Sequence, residues 1–186
     1  MFKDLVKKAR SYRRFEQDKK ISKEDLLDII DTARYTASGG NIQPLRYRIV
    51  NDDKTCATVF GMLKWAAYFK DWEGPADGQR PVSYIIICGE SGKNTSTEEG
   101  IRSETMILAA MDKGIGGCIL ANIDRAGLKS ALELPDPYEA KLVIALGYPC
   151  EKVVTDEIPA DGDVKYYRDS EDVHHTPKIT LKDQLI

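Results

Sequence analysis

The chain has 186 residues, a size that suits one domain, 1–186, and buries a core without disulfide or metal staples. Its net charge of −3 offers no electrostatic footprint for nucleic acid. The four cysteines stand far apart with no C-x-x-C pair, and two histidines are too few to complete a zinc site with them. With no signal-like start and no apolar run of membrane-spanning length, this points to a soluble, cytoplasmic protein with no membrane partner.

Phe2, Leu5, Val6 and Ala9 suit a short first helix, and directly after it Arg10-Ser11-Tyr12-Arg13-Arg14 packs three guanidiniums and a hydroxyl into five residues. Guanidinium forks match phosphate oxygens, so this cluster suits a terminal phosphate; a solvated basic turn is the alternative. Ser22 caps a helix carrying Leu26, Leu27, Ile29, Ile30 and Ala33, which Ser38-Gly39-Gly40-Asn41 breaks. Tyr47–Val50 is a short strand, and Thr55–Phe69 returns to helical spacing through Val59, Met62, Leu63 and Ala66. The loop from Asp71 to Pro81 leads into Val82–Cys88, too apolar for an edge strand and therefore central.

Glu99–Lys113 is apolar over most of its circumference, which predicts a helix deep in the core, with Gly114 as its C-cap. Ile115–Leu120 is extended, Asp124 caps a short helix through Leu132, and Lys141–Gly147 is a second central strand. The pattern is α+β, with helices outnumbering strands. From Glu151 onward the apolar residues thin out, so residues 151–186 are either disordered or wrap a neighbouring subunit; their tyrosines, Leu181 and Leu185 favour wrapping.

There is no P-loop and no G-x-S-x-G elbow. Gly114-Ile115-Gly116-Gly117 follows a helix and precedes a strand, the reverse of the dinucleotide fingerprint. His174 and His175 are adjacent and diverge in an extended tail, poor geometry for a metal pair or a catalytic dyad. Arginines suited to phosphate, with no acid, base or nucleophile of the chain's own, predict that a cofactor carries the chemistry and that catalytic residues and metal ligands are absent.

Three segments sharpen this. Arg10-Ser11-x-Arg13, Ser38-x-x-Asn41-x-Gln43-Pro44 and Gly114-Ile115-Gly116-Gly117-Cys118 resemble, in order and spacing, the R-S-x-R, S-x-x-N-x-Q-P and G-[LI]-G-x-C elements of the FMN-dependent nitroreductase family, in a short prokaryotic-type form. Val143-Ile144-Ala145-Leu146-Gly147-Tyr148-Pro149 and the stretch from Lys165 to Lys178 extend the likeness over nearly the whole chain.

The resemblance implies a central mixed β-sheet flanked by helices, in a homodimer that exchanges its C-terminal segments around FMN. It places Arg10, Ser11, Arg13 and Lys178 at the FMN phosphate and nearby polar atoms, Ser38, Asn41 and Gln43 near the flavin ring and ribityl chain, and Gly116 and Gly117 with their amides at the ring. Arg13 is alternatively the group that meets charge at flavin N1 and O2. The implied activity is hydride uptake from NADH or NADPH and electron transfer to a nitroaromatic, quinone or similar small-molecule acceptor by a ping-pong mechanism. Alternatives are a non-catalytic FMN-binding module, or a dehalogenating or flavin-fragmenting enzyme of the same fold, for which Trp65, Tyr68, Phe69 and Trp72 would supply aromatic walls. Ala9, Leu45 and Ile179 stand where many members carry Arg, Trp and Arg; the first and last leave the phosphate with fewer cations.

Overall fold

A computed structural model describes residues 1–186. At its centre is a four-stranded sheet in the order β1-β2-β4-β3, formed by Arg46–Val50 (β1), Ser83–Glu90 (β2), Gly116–Leu120 (β3) and Tyr138–Gly147 (β4). The two strands expected to be central are central: β2 lies between β1 and β4, and β4 between β2 and β3. Pairing within the sheet is antiparallel throughout. Its mixed character is confined to the free edge of β3, where Ser11 forms a parallel bridge with Gly117.

Side chains alternate across this sheet, and each face buries its own core. Tyr84, Ile86, Cys88, Val143 and Ala145 point toward Asp53–Phe60 (α3) and Arg125–Ala131 (α5), which add Cys56, Val59 and Leu128. Ile85, Ile87, Ile144 and Leu146 meet Lys23–Arg34 (α2) and Ser96–Asp112 (α4) through Leu26, Ile29, Ala33, Met106, Ile107 and Ala110. At about 1.5–3 kcal/mol for each large aliphatic side chain, these two layers dominate stability. The caps are as the sequence implied: Ser22 accepts from Asp25 N and Asp124 from Gly127 N.

Three expectations change. The helix expected over Thr55–Phe69 ends at Phe60, because Gly61 caps it and Leu63 is drawn into a bridge with Ile123. The helix α4 is buried on one face only; Ile101 is exposed, and Leu108, Ala109 and Met111 are partly so. Strands outnumber helices, nine to six α-helices, because the tail folds onto its own chain in two-residue ladders. Val153–Val154 (β5), His174–His175 (β8) and Tyr167–Arg168 (β7) make one small sheet, and Glu157–Ile158 (β6) pairs with Lys178–Ile179 (β9). Backbone bonds hold these ladders, so no apolar period announced them. Helix Phe2–Lys8 (α1) opens the chain, and Leu181–Gln184 (α6) lies near its end. No helix is long and apolar enough to cross a membrane.

Candidate functional site

The arginine segment lies along the open edge of β3. Tyr12 N donates to Gly117 O at 3.0 Å, and Phe15 forms an antiparallel bridge with Pro149, so residues 11–15 act as an added edge strand. Arg10, Ser11 and Gly117 share a small cavity of about 40 Å³ with Glu104 and Ile107. Arg10 spends one nitrogen on Val6 O at 2.6 Å, while its Nε is buried without a partner. A buried N–H left unpaired costs roughly 1–3 kcal/mol, and with the exposed Ser11 hydroxyl beside it this donor set fits the oxygens of a phosphate. Gly116 and Gly117 are required here by packing. A Cβ on Gly116 would strike Tyr12 and Pro149, and one on Gly117 would meet Ile107 Cδ1 at 2.7 Å and Leu146 Cδ2 at 2.9 Å.

Arg13 turns away from that cavity. Its guanidinium lies 4.7 Å from the centre of the Tyr166 ring, and Nη1 is 3.5 Å from His174 Nε2. Below it the Glu151 side chain, 2 % exposed, accepts from the backbone N–H groups of Arg13 and Arg14 and pairs with Arg168. His174 is fully buried, and burial above all, with Arg13 second, drives its pKa down to about 4, so it is neutral. His175 points the other way, between Asp156 at 2.8 Å and Asp169 at 3.1 Å, and these hydrogen bonds raise its pKa. The adjacent histidines diverge, yet both are engaged, and neither role was visible in the sequence. Phe69 joins the cluster, its ring 5.5 Å from His174 and 5.2 Å from Tyr166. Of the four aromatic residues singled out earlier, Trp65 is core, whereas Tyr68 and Phe69 pack against Tyr166 of the tail.

The Ser38–Gln43 segment is a turn that satisfies itself. Ser38 Oγ accepts from Gln43 N at 3.0 Å, and Gln43 Nε2 donates to Asn41 Oδ1 at 3.1 Å. Gly40, Asn41 and Gln43 have φ of 55°, 55° and 50°, and a left-handed backbone at two non-glycine residues costs about 1–2 kcal/mol each. Gly39 N donates to Glu98 in the first turn of α4. The Arg10 cavity lies against Glu104 and Ile107 of the same helix, about 9–14 Å further along its axis.

Within one chain the expected site residues therefore form separate groups: Arg10 and Ser11 with Gly117 and its neighbour Gly116, Arg13 with the tail, and Ser38, Asn41 and Gln43 in their turn. Lys178 stands exposed on β9 with its backbone N–H on Asp156 O. The sequence reading missed Glu151 because a lone carboxylate after a strand carries no pattern.

A family model described as the nitroreductase family matches residues 6–72 and 94–148, spanning both the Arg10 segment and the Ser38–Gln43 turn. An iodotyrosine deiodinase from Thermotoga neapolitana is 26 % identical over 166 residues, covering 80 % of this chain and 89 % of that protein. Among solved structures, a nitroreductase family protein from Clostridium novyi NT is 26 % identical with a TM-score of 0.67, covering 80 % of this chain and 85 % of that one. An FMN-dependent nitroreductase from Clostridium difficile R20291 shares the fold at 21 % identity and TM-score 0.63, over 90 % of this chain and 92 % of its own. With β1, β3, β4, the flanking helices and the arginine edge segment all falling within the matched residues, the chain belongs to the nitroreductase family.

Proposed function

We propose that the protein is an FMN-dependent oxidoreductase, a cytoplasmic homodimer that takes hydride from NADH or NADPH and passes electrons to a nitroaromatic, quinone or similar acceptor in alternating half-reactions at one pocket. Family membership carries this reading, and the unpaired Arg10 Nε beside Ser11 supports it locally. Bound FMN would supply the redox chemistry; the chain's part is to bind, orient and exclude water. Arg10 and Ser11 would hold the phosphate with Lys178. Ser38, Asn41 and Gln43 would face the ring and ribityl chain, and Gly116 and Gly117 would bring backbone close to the ring. Arg13 is the candidate for charge on the reduced ring, with the phosphate as its other assignment. Because the first two groups lie apart on α4, a second copy is what would bring one beside the other.

Titration with FMN and riboflavin tests the reading. Arg10→Ala and Lys178→Ala should each weaken FMN by about tenfold to over a hundredfold and leave riboflavin unchanged. NADH or NADPH oxidation with an added acceptor then tests turnover. Flavin colour without turnover would favour a non-catalytic FMN-binding module, and a protein that takes up no flavin refutes both.

The deiodinase relative favours one second reading, reductive dehalogenation of an aromatic substrate, with Phe69, Trp72 and Tyr166 as the aromatic wall. Iodide release from iodotyrosine by the flavin-loaded, reduced protein is the discriminating assay.

A further inference from the structure

Three guanidiniums, Arg34, Arg46 and Arg102, line a cavity of about 100 Å³ at the start of β1, together with Gln43 and Tyr47, and no acidic side chain lines it. Arg102 is only 4 % exposed, forms no ion pair, and makes a single hydrogen bond, to Ala33 O at the end of α2. Arg46 also lacks an ion pair and donates only through Nη1, to Gln43 O at 3.1 Å and Leu45 O at 2.7 Å. Arg34 is paired with Asp31, whose carboxylate stands outside the lining. Tyr47 has its pKa raised by burial, against the pull of Arg102 and Arg46, so its hydroxyl is a further donor.

Buried charges in folded proteins are paired, because an isolated one carries a large desolvation penalty. The C-terminal end of α2 presents about half a negative charge, which offsets part of one guanidinium and leaves the rest uncompensated. Each guanidinium carries five N–H donors, so most of these are unspent. The cavity has room for one oxyanion group and not for a whole cofactor.

We propose that Arg34, Arg46 and Arg102 form an anion-binding site that takes a single carboxylate or phosphate group of a small molecule, a site additional to the Arg10 and Ser11 phosphate cradle and independent of it. Arg102 is the buried anchor, and Arg46, with Tyr47, is the adjustable wall. Such a site next to Gln43 selects anionic ligands over neutral ones of equal size.

Calorimetric titration at constant ionic strength, on protein saturated with FMN, uses inorganic phosphate in one arm and benzoate in the other. One saturable site is expected, and the tighter arm identifies the ligand as phosphate-bearing or carboxylate-bearing. Arg46→Gln, an exposed substitution that leaves folding intact, should weaken it about tenfold or more, and Arg10→Ala should leave it unchanged. In phosphate-free buffer Arg102→Met should match or exceed the wild type in urea midpoint, since it removes an uncompensated buried charge. Absence of saturable heat with both anions, or equal affinity in wild type and Arg46→Gln, overturns the proposal. Should the protein take up no FMN, the same titration on the Arg10→Ala background still decides this site while the flavin reading fails separately.

Discussion

Glu151 joins the two ends of the chain through one carboxylate. Removing it leaves Arg168 Nη2 and the Arg13 and Arg14 backbone donors without their acceptor, while Arg168 Nη1 keeps Asp172. Glu151→Ala should therefore destabilise the protein by about 3–5 kcal/mol, read as a lower urea midpoint, and should loosen the Arg10 segment enough to weaken FMN in the same titration. The two histidines make opposite pH predictions. His174 titrates near 4 in the folded chain against about 6.5 unfolded, so the stability it holds above about pH 6.5 is lost as pH falls toward 4. His175 has its pKa raised, so its contribution is complete below about pH 6.5 and is lost as pH rises through the folded value. Unfolding free energies measured from pH 4.5 to 8 should show a shallower acid slope in His174→Asn and a shallower alkaline slope in His175→Asn.

At the scale of elements, the edge pairing of β3 is the sensitive point. Gly117→Ala would push a methyl into Ile107, Leu146 and Ala145 O, and overpacking of this kind costs about 1–3 kcal/mol. Since the same residue bridges Ser11, FMN affinity should fall alongside the unfolding midpoint. What the sequence made legible was whatever side chains report. Ser22 and Asp124 announced their helices through capping, and Val82–Cys88 announced a central strand by being apolar throughout. The false extension of α3 came from Met62, Leu63 and Ala66, whose helical spacing is real but which lie beyond the C-cap Gly61, where the chain turns into the Leu63–Ile123 bridge. The tail ladders rest on main-chain bonds, which leave no period to read. The clustering of Arg10 and Ser11 was legible because they are neighbours in sequence, and the structure keeps them at one cavity; the isolation of Arg102 from any carboxylate was not, because it is a property of the packed chain.

For the whole molecule, the separated groups of candidate residues and the half-covered face of α4 bear on one question. Ile101 and Leu108 stand on the uncovered face of α4 among polar residues, with Ala109 and Met111 on its flanks; a second copy would bury them, and in the proposed homodimer that contact and the tail would together complete each cofactor site. Ile101→Glu should then shift the molecule to monomer in light scattering and reduce FMN binding with it, while the core-facing residues of the helix stay packed. A folded, FMN-loaded monomer of the wild type at micromolar concentration would refute that arrangement.

The bond from Arg13 N to Glu151 spans 138 positions of sequence. A ribosome making this protein from its N-terminus releases the arginine segment first and its fastening carboxylate only near the end. Until residue 151 has emerged, the arginine segment lacks this acceptor, so in the proposed FMN site flavin capture would wait for a nearly complete chain.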